Sequence, residues 1–309
     1  MRRDLATDDF EVCRRILRAG SKSFSAASLL LPARVRVPAT VFYAYCRVAD
    51  DRIDGSPDAS EATVDELRGR LYHIFLGRPE NEPVDRALAA IVERERLPLE
   101  PFEALLDGLA WDAAGRRYET LDDLYAYAAR VAGTVGAMMT VLMGQRAANV
   151  LARACDLGVA MQLTNIARDV GEDAARGRVY LPLQWMREAG LDPEGWLARP
   201  APDEATRSVV GRLLETADEL YERADGGVAG LPTDCRVAIR AARLIYADIG
   251  RVVRRGGLDS VTRRAVVPKG RKIWLILRAL AARFEKPQVT DAPPLGPTRF
   301  LVTACAETP

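Results

Sequence analysis

Asn165, Asp169 and Asp173 stand at intervals of four within LGVAMQLTNIARDVGEDAARGRVYLP, residues 157–182. Leu157, Met161 and Thr164 recur at intervals of four and three, Val170 follows, and Gly177 and Pro182 punctuate the end, so the pattern predicts a helix running to about residue 175. Residues four apart on a helix are neighbours, about 5–6 Å between Cβ atoms, so the three side chains form a ladder of oxygen donors. Gln162 falls on the same side, and Arg168 beside it offers a planar fork for phosphate. Hard divalent cations want such oxygens; Mg²⁺ takes one or two carboxylates and completes its shell with water and substrate phosphate. The plain alternative is an exposed helix face laced with ion pairs.

A second ladder decides between the two. In VFYAYCRVADDRID, Asp50 and Asp54 are again one turn apart, after an apolar and aromatic run that belongs in a core. Each ladder has an arginine close by, Arg47 and Arg168. Carboxylates facing one another across a cavity repel unless cations lie between them. Tyr43, Arg47 and Asp50 share one helix face, Asp51 lies outside it, and core packing accounts for Tyr43 equally well.

SKSFSAASLLLP (21–32), YAYCRVADDRID (43–54) and GxxxQxxNIxRDxxxD with RxYxP (158–182) resemble the squalene/phytoene synthase family, the head-to-head prenyl diphosphate synthases. The wording, including GAMMTVLM and PKGRKIWLILRAL, is closer to the bacterial phytoene-forming branch than to the squalene-forming one. The resemblance runs from about residue 13 to residue 282. It implies an all-α, single-domain isoprenoid-synthase-type bundle around a deep central cavity. It implies Mg²⁺ or Mn²⁺ held by Asp50, Asp54, Asn165, Asp169 and Asp173, with Asp50, Asp54, Asp169, Asp173 and Tyr180 as the catalytic set. Substrate diphosphate falls to Ser21, Lys22, Ser23, Tyr43, Arg47, Gln162, Arg168 and, on a looser match, Tyr246. A loop or helix cap explains Ser21 and Ser23 on residue type alone.

Gly133, Gly136 and Ala137 in VAGTVGAMMTVLMG make room either for a close helix or for a prenyl chain. The family assigns this helix to the channel wall, with Phe24 beside it and Met138, Met139 and Met143 as adaptable lining. Asp122 and Asp123 read as the first turn of a helix capped by Thr120, and they receive no chemistry.

The reaction implied is condensation of two geranylgeranyl diphosphates to phytoene through prephytoene diphosphate, with no NADPH requirement. A C30 synthase using farnesyl diphosphate shares the same motifs and differs in cavity depth. A non-catalytic family relative acting as an assembly factor would be expected to have lost acids from one ladder, and both are intact.

The elements that must hold these groups follow from the rest of the chain. With 309 residues and 49% apolar composition it can bury a sizeable core. A net charge of +1 and 6% aromatics give nucleic acid no footing. Five scattered cysteines without a CxxC pair suit a reduced compartment, and a single histidine, His73, argues against His-rich metal sites and Ser-His-Asp chemistry. The N-terminus lacks an apolar signal region and no apolar run reaches a membrane span, so the expected location is cytoplasmic, peripheral on the inner membrane at most. Periodicity predicts helix after helix, with Pro38 among the breaks. Residues 1–286 are expected to form the domain and the Pro-rich 287–309 a disordered tail. The basic amphipathic stretch near 271–284 suits either an anionic bilayer or a terminal core helix with a solvated edge.

Overall fold

The computed structural model describes residues 5–20, 28–54, 61–282 and 292–306, leaving the side chains of Asp54 and Glu61 aside. All regular elements among them are helical. In chain order they are α1 (Thr7–Gly20), α2 (Ala33–Asp54), α3 (Glu61–Phe75), α4 (Pro83–Glu95), α5 (Glu100–Ala113) and α6 (Leu121–Ala128). A π-helical turn, Ala129–Gly133, joins α6 to α7 (Thr134–Leu142). Then come α8 (Ala148–Ala175), α9 (Leu183–Glu188), α10 (Pro193–Ala198), α11 (Glu204–Asp225), α12 (Thr233–Arg255), α13 (Lys269–Ala281) and α14 (Arg299–Ala306).

The long α8 is the axis, packed by α7, α11, α12 and α14. Its first half contributes Val150, Leu151 and Cys155 to a core shared with α2 to α5. Its second half gives Val159, Leu163, Ile166 and Val170 to a core with α6, α9, α10 and α11. In the first core Phe42, Tyr45 and Phe75 meet Phe102 edge-on, with centroids 5.5–5.6 Å apart, a favoured aromatic geometry. Two glycines let α8 approach the preceding helix backbone to backbone. A Cβ on Gly136 would stand 2.1 Å from the Ala154 carbonyl oxygen, and one on Gly158 2.2 Å from that of Ala132.

The expected cap at Thr120 is present as a capping box: the Asp123 N–H donates to Thr120 Oγ1 (3.2 Å) and the Thr120 N–H to Asp123 Oδ2 (2.9 Å). Two expectations are corrected. Pro38 does not break a helix; α2 starts at Ala33 and runs through it. Proline in this early turn leaves unpartnered only the carbonyl four residues back, and the buried Val35, Ala39 and Val41 hold the segment in place.

The C-terminal stretch is not a disordered tail over 292–306. The Pro293 carbonyl accepts from Arg153 (3.2 Å) and Arg223 (2.9 Å), both anchored on the buried Asp156. In α14 Leu301, Val302 and Cys305, at helical spacing, are buried, and the Cys305 carbonyl accepts from Arg146 (3.1 Å). The Pro-rich lead-in masks that short apolar stripe in the sequence. Residues 283–291 and 307–309 lie outside the described residues.

Candidate active site

One face of α8, from Val150 through Arg153, Leu157, Met161 and Gln162 to Asn165, lines a cavity of about 240 Å³. At about 1.5 Å per residue these fifteen steps cover about 22 Å, so the cavity is long, with Val150 at one end and Asn165 at the other. The same helix continues from the polar end into Arg168, Asp169 and Asp173. Opposite stand Met139 of α7, Met143 just after it, and Ile239, Ile245 and Tyr246 of α12. The walls are apolar along most of their length, and the polar groups Gln162, Asn165 and Tyr246 gather where the acids begin.

The carboxylate ladder of α8 is bent. Asp169 has φ −104° and ψ 15°, outside the helical range. The cause lies in the connection between α12 and α13. The Gly171 N–H donates outside its own helix, to the Ser260 carbonyl at 2.9 Å. A Cβ at Gly171 would stand 2.0 Å from the Val261 carbonyl oxygen, so only glycine admits that strand of backbone. Insertion of an outside partner into the i to i−4 ladder is a known source of kinks. The bend sets Asp169 between two guanidinium groups: Arg168 Nε at 2.7 Å, with Nη2 on the second oxygen, and Arg264 Nε at 3.0 Å. Burial pushes the Asp169 carboxyl up, but these charged donors outweigh it and hold it below the ordinary range. At Asp173 the charges of Arg176 and Arg178 do not outweigh burial. Burial, then the charge of Asp169, raises it to about 7.

On α2, Arg47 bridges Asp50 (3.2 Å) and Asp51 (2.5 Å). Asp51, expected off this face, therefore shares the arginine with the ladder. Tyr43 lies at the end of α1: a Cβ on Gly20 would be 2.6 Å from its hydroxyl oxygen and 3.4 Å from Arg47 Cδ. Ser21, Lys22, Ser23 and Phe24, which follow Gly20, lie outside the described residues, as does the Asp54 side chain. The two ladders share an electrostatic neighbourhood. Burial raises both Asp112 of α5 and Asp173; Asp112 also feels Asp50, and Asp173 feels Asp112. Across the top of the cavity, burial raises Tyr246, which also feels Arg168 and Asp169, and burial raises Tyr43, which feels Arg47 and Tyr246.

Asp112 and Tyr127 were not foreseen. Asp112 Oδ1 accepts from the Tyr180 hydroxyl (2.7 Å) and Oδ2 from that of Tyr127 (2.8 Å), while the rings of Tyr127 and Tyr180 stack with centroids 5.3 Å apart. Asp173, Arg178 and Tyr180 line one small recess beside them. The phenol of Tyr180 is pushed far up, first by burial and then by Asp112, so it is a hydrogen-bond donor and not a base at neutral pH. Burial raises Asp112 itself from 3.8 to about 6, against the two phenols. A raised carboxyl pKa contributes stability fully below about pH 4 and loses it as pH rises through about 6. Asp112→Asn lacks that loss, so its melting temperature relative to the parent should climb between pH 4.5 and pH 7.5. The gap corresponds to about 3 kcal/mol at most. A pH-independent difference in thermal melts would contradict the burial argument.

The channel wall differs in part from expectation. Gly136, Met139 and Met143 line the cavity, but Gly133, Ala137 and Met138 do not. Gly133 faces Leu301 of α14, 3.4 Å from a would-be Cβ, while Ala137 and Met138 are fully buried in the first core. At about 100° per residue Gly136, Met139 and Met143 share one face, and Ala137 and Met138 turn away from it.

Among the described residues no three acidic, histidine or cysteine side chains converge tightly enough to cage a metal by themselves. The donor set nevertheless fits a hard divalent ion. It consists of oxygens, and Asp173 is held against Asp169 without enough counter-charge, a repulsion that a cation relieves. Mg²⁺ asks one or two carboxylates of a protein and takes the rest from water and phosphate.

The sequence model of the squalene/phytoene synthase family matches residues 17–271. The phytoene synthase of Rhodobacter capsulatus is 57% identical over 274 residues, 88% of this chain and 81% of that protein. That of Cereibacter sphaeroides is 51% identical, covering 98% of this chain and 89% of that protein. Among solved structures, a dehydrosqualene synthase in complex with ligand superposes with a TM-score of 0.81 at 34% identity, over 89% of this chain and 96% of that one. On that match and those identities, the chain belongs to the squalene/phytoene synthase family.

Proposed function

We propose that the protein is a prenyltransferase that joins two molecules of geranylgeranyl diphosphate head to head to give phytoene and two diphosphates. The observation that carries this reading is the continuity of one helix face, apolar from Val150 to Met161 except for Arg153, which is paired with Asp156, and then Gln162, Asn165, Arg168, Asp169 and Asp173. An amphiphile with a long hydrocarbon tail and a diphosphate head matches that face in order. The 57% and 51% identities to phytoene synthases support the C40 product.

Asp50, Asp54, Asn165, Asp169 and Asp173 would hold divalent cations, which when bound would supply the charge that makes diphosphate a leaving group. Arg47, Arg168 and Arg264 add fixed positive charge at the same end and orient the head groups. Once the carbon–oxygen bond of the first molecule breaks, its allylic cation lies against Met and aliphatic walls that keep out water. The second molecule's double bond attacks it, a proton is lost, and a cyclopropylcarbinyl diphosphate forms. Its ionisation, rearrangement and loss of a second proton give the C40 hydrocarbon, without reductant. The hydroxyl proton of Tyr180 is committed to Asp112, so the departing diphosphate is the acceptor we assign. Tyr180 and Tyr127 present their ring faces as a polarisable wall near the reacting end. Because substrate and product are lipid-like, the protein works in peripheral contact with a membrane; among the described residues no helix is long and apolar enough to cross one.

The test is product analysis of purified protein with Mg²⁺ and no NADPH, using geranylgeranyl diphosphate in one reaction and farnesyl diphosphate in another. Phytoene from the first alone is expected. A C30 hydrocarbon from the second alone would move the protein to a C30 synthase, a reading favoured by its likeness to the dehydrosqualene synthase structure. No turnover of either would overturn the enzymatic reading.

A further inference from the structure

Helix α13 carries an apolar stripe that the fold leaves uncovered. Its inner face, Leu275 and Ala279, is buried, and Leu275 packs on Ile245 and Ile249 of α12. Its outer face exposes Ile273 (60%), Trp274 (47%), Leu277 (58%) and Leu280 (38%), and Val266 (66%) extends the patch just before the helix. At about 100° per residue, positions 273, 277 and 280 lie along one line with Trp274 at its edge. Lys269 and Lys272 then fall on one flank of the stripe, Arg271 and Arg278 on the other. Trp274 is braced by both arginines, whose guanidinium carbons stand 4.3 and 5.8 Å from the ring centroid.

Charge here is segregated in a way the chain as a whole is not. Net charge over 309 residues is +1, yet residues 260–284 contain seven Lys or Arg and no Asp or Glu. Arg264 and Arg271 are spent on Asp169 and Asp248. Even so, the rim of the stripe is purely cationic. A second copy of this chain fits poorly, because a two-fold contact would set basic rim against basic rim and bury lysines, which interfaces avoid. An anionic bilayer fits both features: aliphatic and tryptophan side chains enter the headgroup boundary while Lys and Arg meet phosphate.

We propose that α13 is the membrane-docking element, with its apolar stripe seated in the surface of an anionic phospholipid bilayer. The position suits the proposed reaction, whose lipid-like substrate and product give membrane contact its purpose. The opposite face of α12 carries Ile239, Ala242 and Tyr246 of the cavity wall, so one helix thickness separates docked lipid from the prenyl chamber.

Vesicle flotation of the full-length protein without substrate tests this independently of the reaction. The protein should float with phosphatidylcholine vesicles containing about 30% phosphatidylglycerol at least about tenfold better than with phosphatidylcholine alone, with salt releasing it. The triple change Ile273→Ser, Trp274→Ser, Leu277→Ser and the double change Lys269→Glu, Arg278→Glu should each abolish flotation while leaving turnover in detergent micelles intact. Circular dichroism and detergent activity identify a variant that has simply failed to fold, and the second variant then decides. Equal binding by parent and variants, or no binding by the parent, would overturn the proposal. So would a parent dimer in sedimentation that the triple variant loses without any vesicle binding.

Discussion

Asp169→Ala is expected to lower turnover of geranylgeranyl diphosphate at least about a thousandfold while the protein stays helical and soluble. Three features of the residue lead to this magnitude. Its carboxylate is the middle rung of the α8 ladder, held below the ordinary carboxylate range by Arg168 and Arg264 against the effect of burial. It sits at the kink, the one residue of α8 with non-helical dihedrals, and is only 16% exposed. Its charge also raises Asp173, so the two act on one space. Preorganised charge at a leaving group gives 10²–10³ per lost group in mutant enzymes, and removing a metal-binding carboxylate adds to that. The alanine variant also leaves Arg168 and Arg264 without their shared partner, so the diphosphate end loses its order as well as a ligand. Initial rates over a range of Mg²⁺ concentrations check it. Rescue to parental rate by excess Mg²⁺ would show Asp169 to be a weak auxiliary.

Gly171→Ala is the second large effect, and it touches no substrate. The new Cβ would meet the Val261 carbonyl oxygen at 2.0 Å, a contact with backbone that no rotamer change relieves. The 259–262 segment has to withdraw, the Gly171 to Ser260 hydrogen bond is lost, and α8 regains its regular ladder. Straightening carries Asp169 away from Arg264, whose own position depends on the same segment. Displacement of a catalytic group by about 1 Å costs on the order of 10²-fold, so a fall in kcat of at least that size is expected. Overpacking should also cost about 1–3 kcal/mol of stability. Rates and thermal melts on the same preparation check both, and Gly69→Ala, where a Cβ meets nothing within 4 Å, is the control. A Gly171→Ala enzyme of parental kcat would show that the kink does not matter to the chemistry.

What could be read from sequence was whatever helix periodicity alone determines. The Asn165, Asp169, Asp173 spacing and the pairing of Arg47 with Asp50 are local facts, and they survive into the structure with the cavity beside them. The bend at Asp169 was not legible, because its cause lies some ninety residues away at Ser260 and Val261. Asp112 was hidden as one of four acids, with Glu100, Glu103 and Asp107, in a helix that carries no basic residue. Tyr127 was passed over because Asp122 and Asp123 beside it are helix-start residues, as the capping box shows. Gly133 and Ala137 were placed on the channel wall because small residues make room and the family's helix lines the channel; the room at Gly133 is taken by Leu301 of α14, and Ala137 is buried in the first core. The C-terminal helix failed on composition: the Pro-rich lead-in outweighed three apolar residues in RFLVTACA that the core needs.

The central claim is that both carboxylate ladders serve one diphosphate end of one apolar cavity. Anomalous diffraction from crystals soaked with Mn²⁺ and an unreactive thio analogue of geranylgeranyl diphosphate tests it most directly. The account predicts Mn²⁺ peaks between the analogue's diphosphate and both Asp50 and Asp169, with the prenyl chain running along α8 toward Val150. Diphosphate bound away from either ladder, or metal on one ladder alone with the chain outside the cavity, would contradict it.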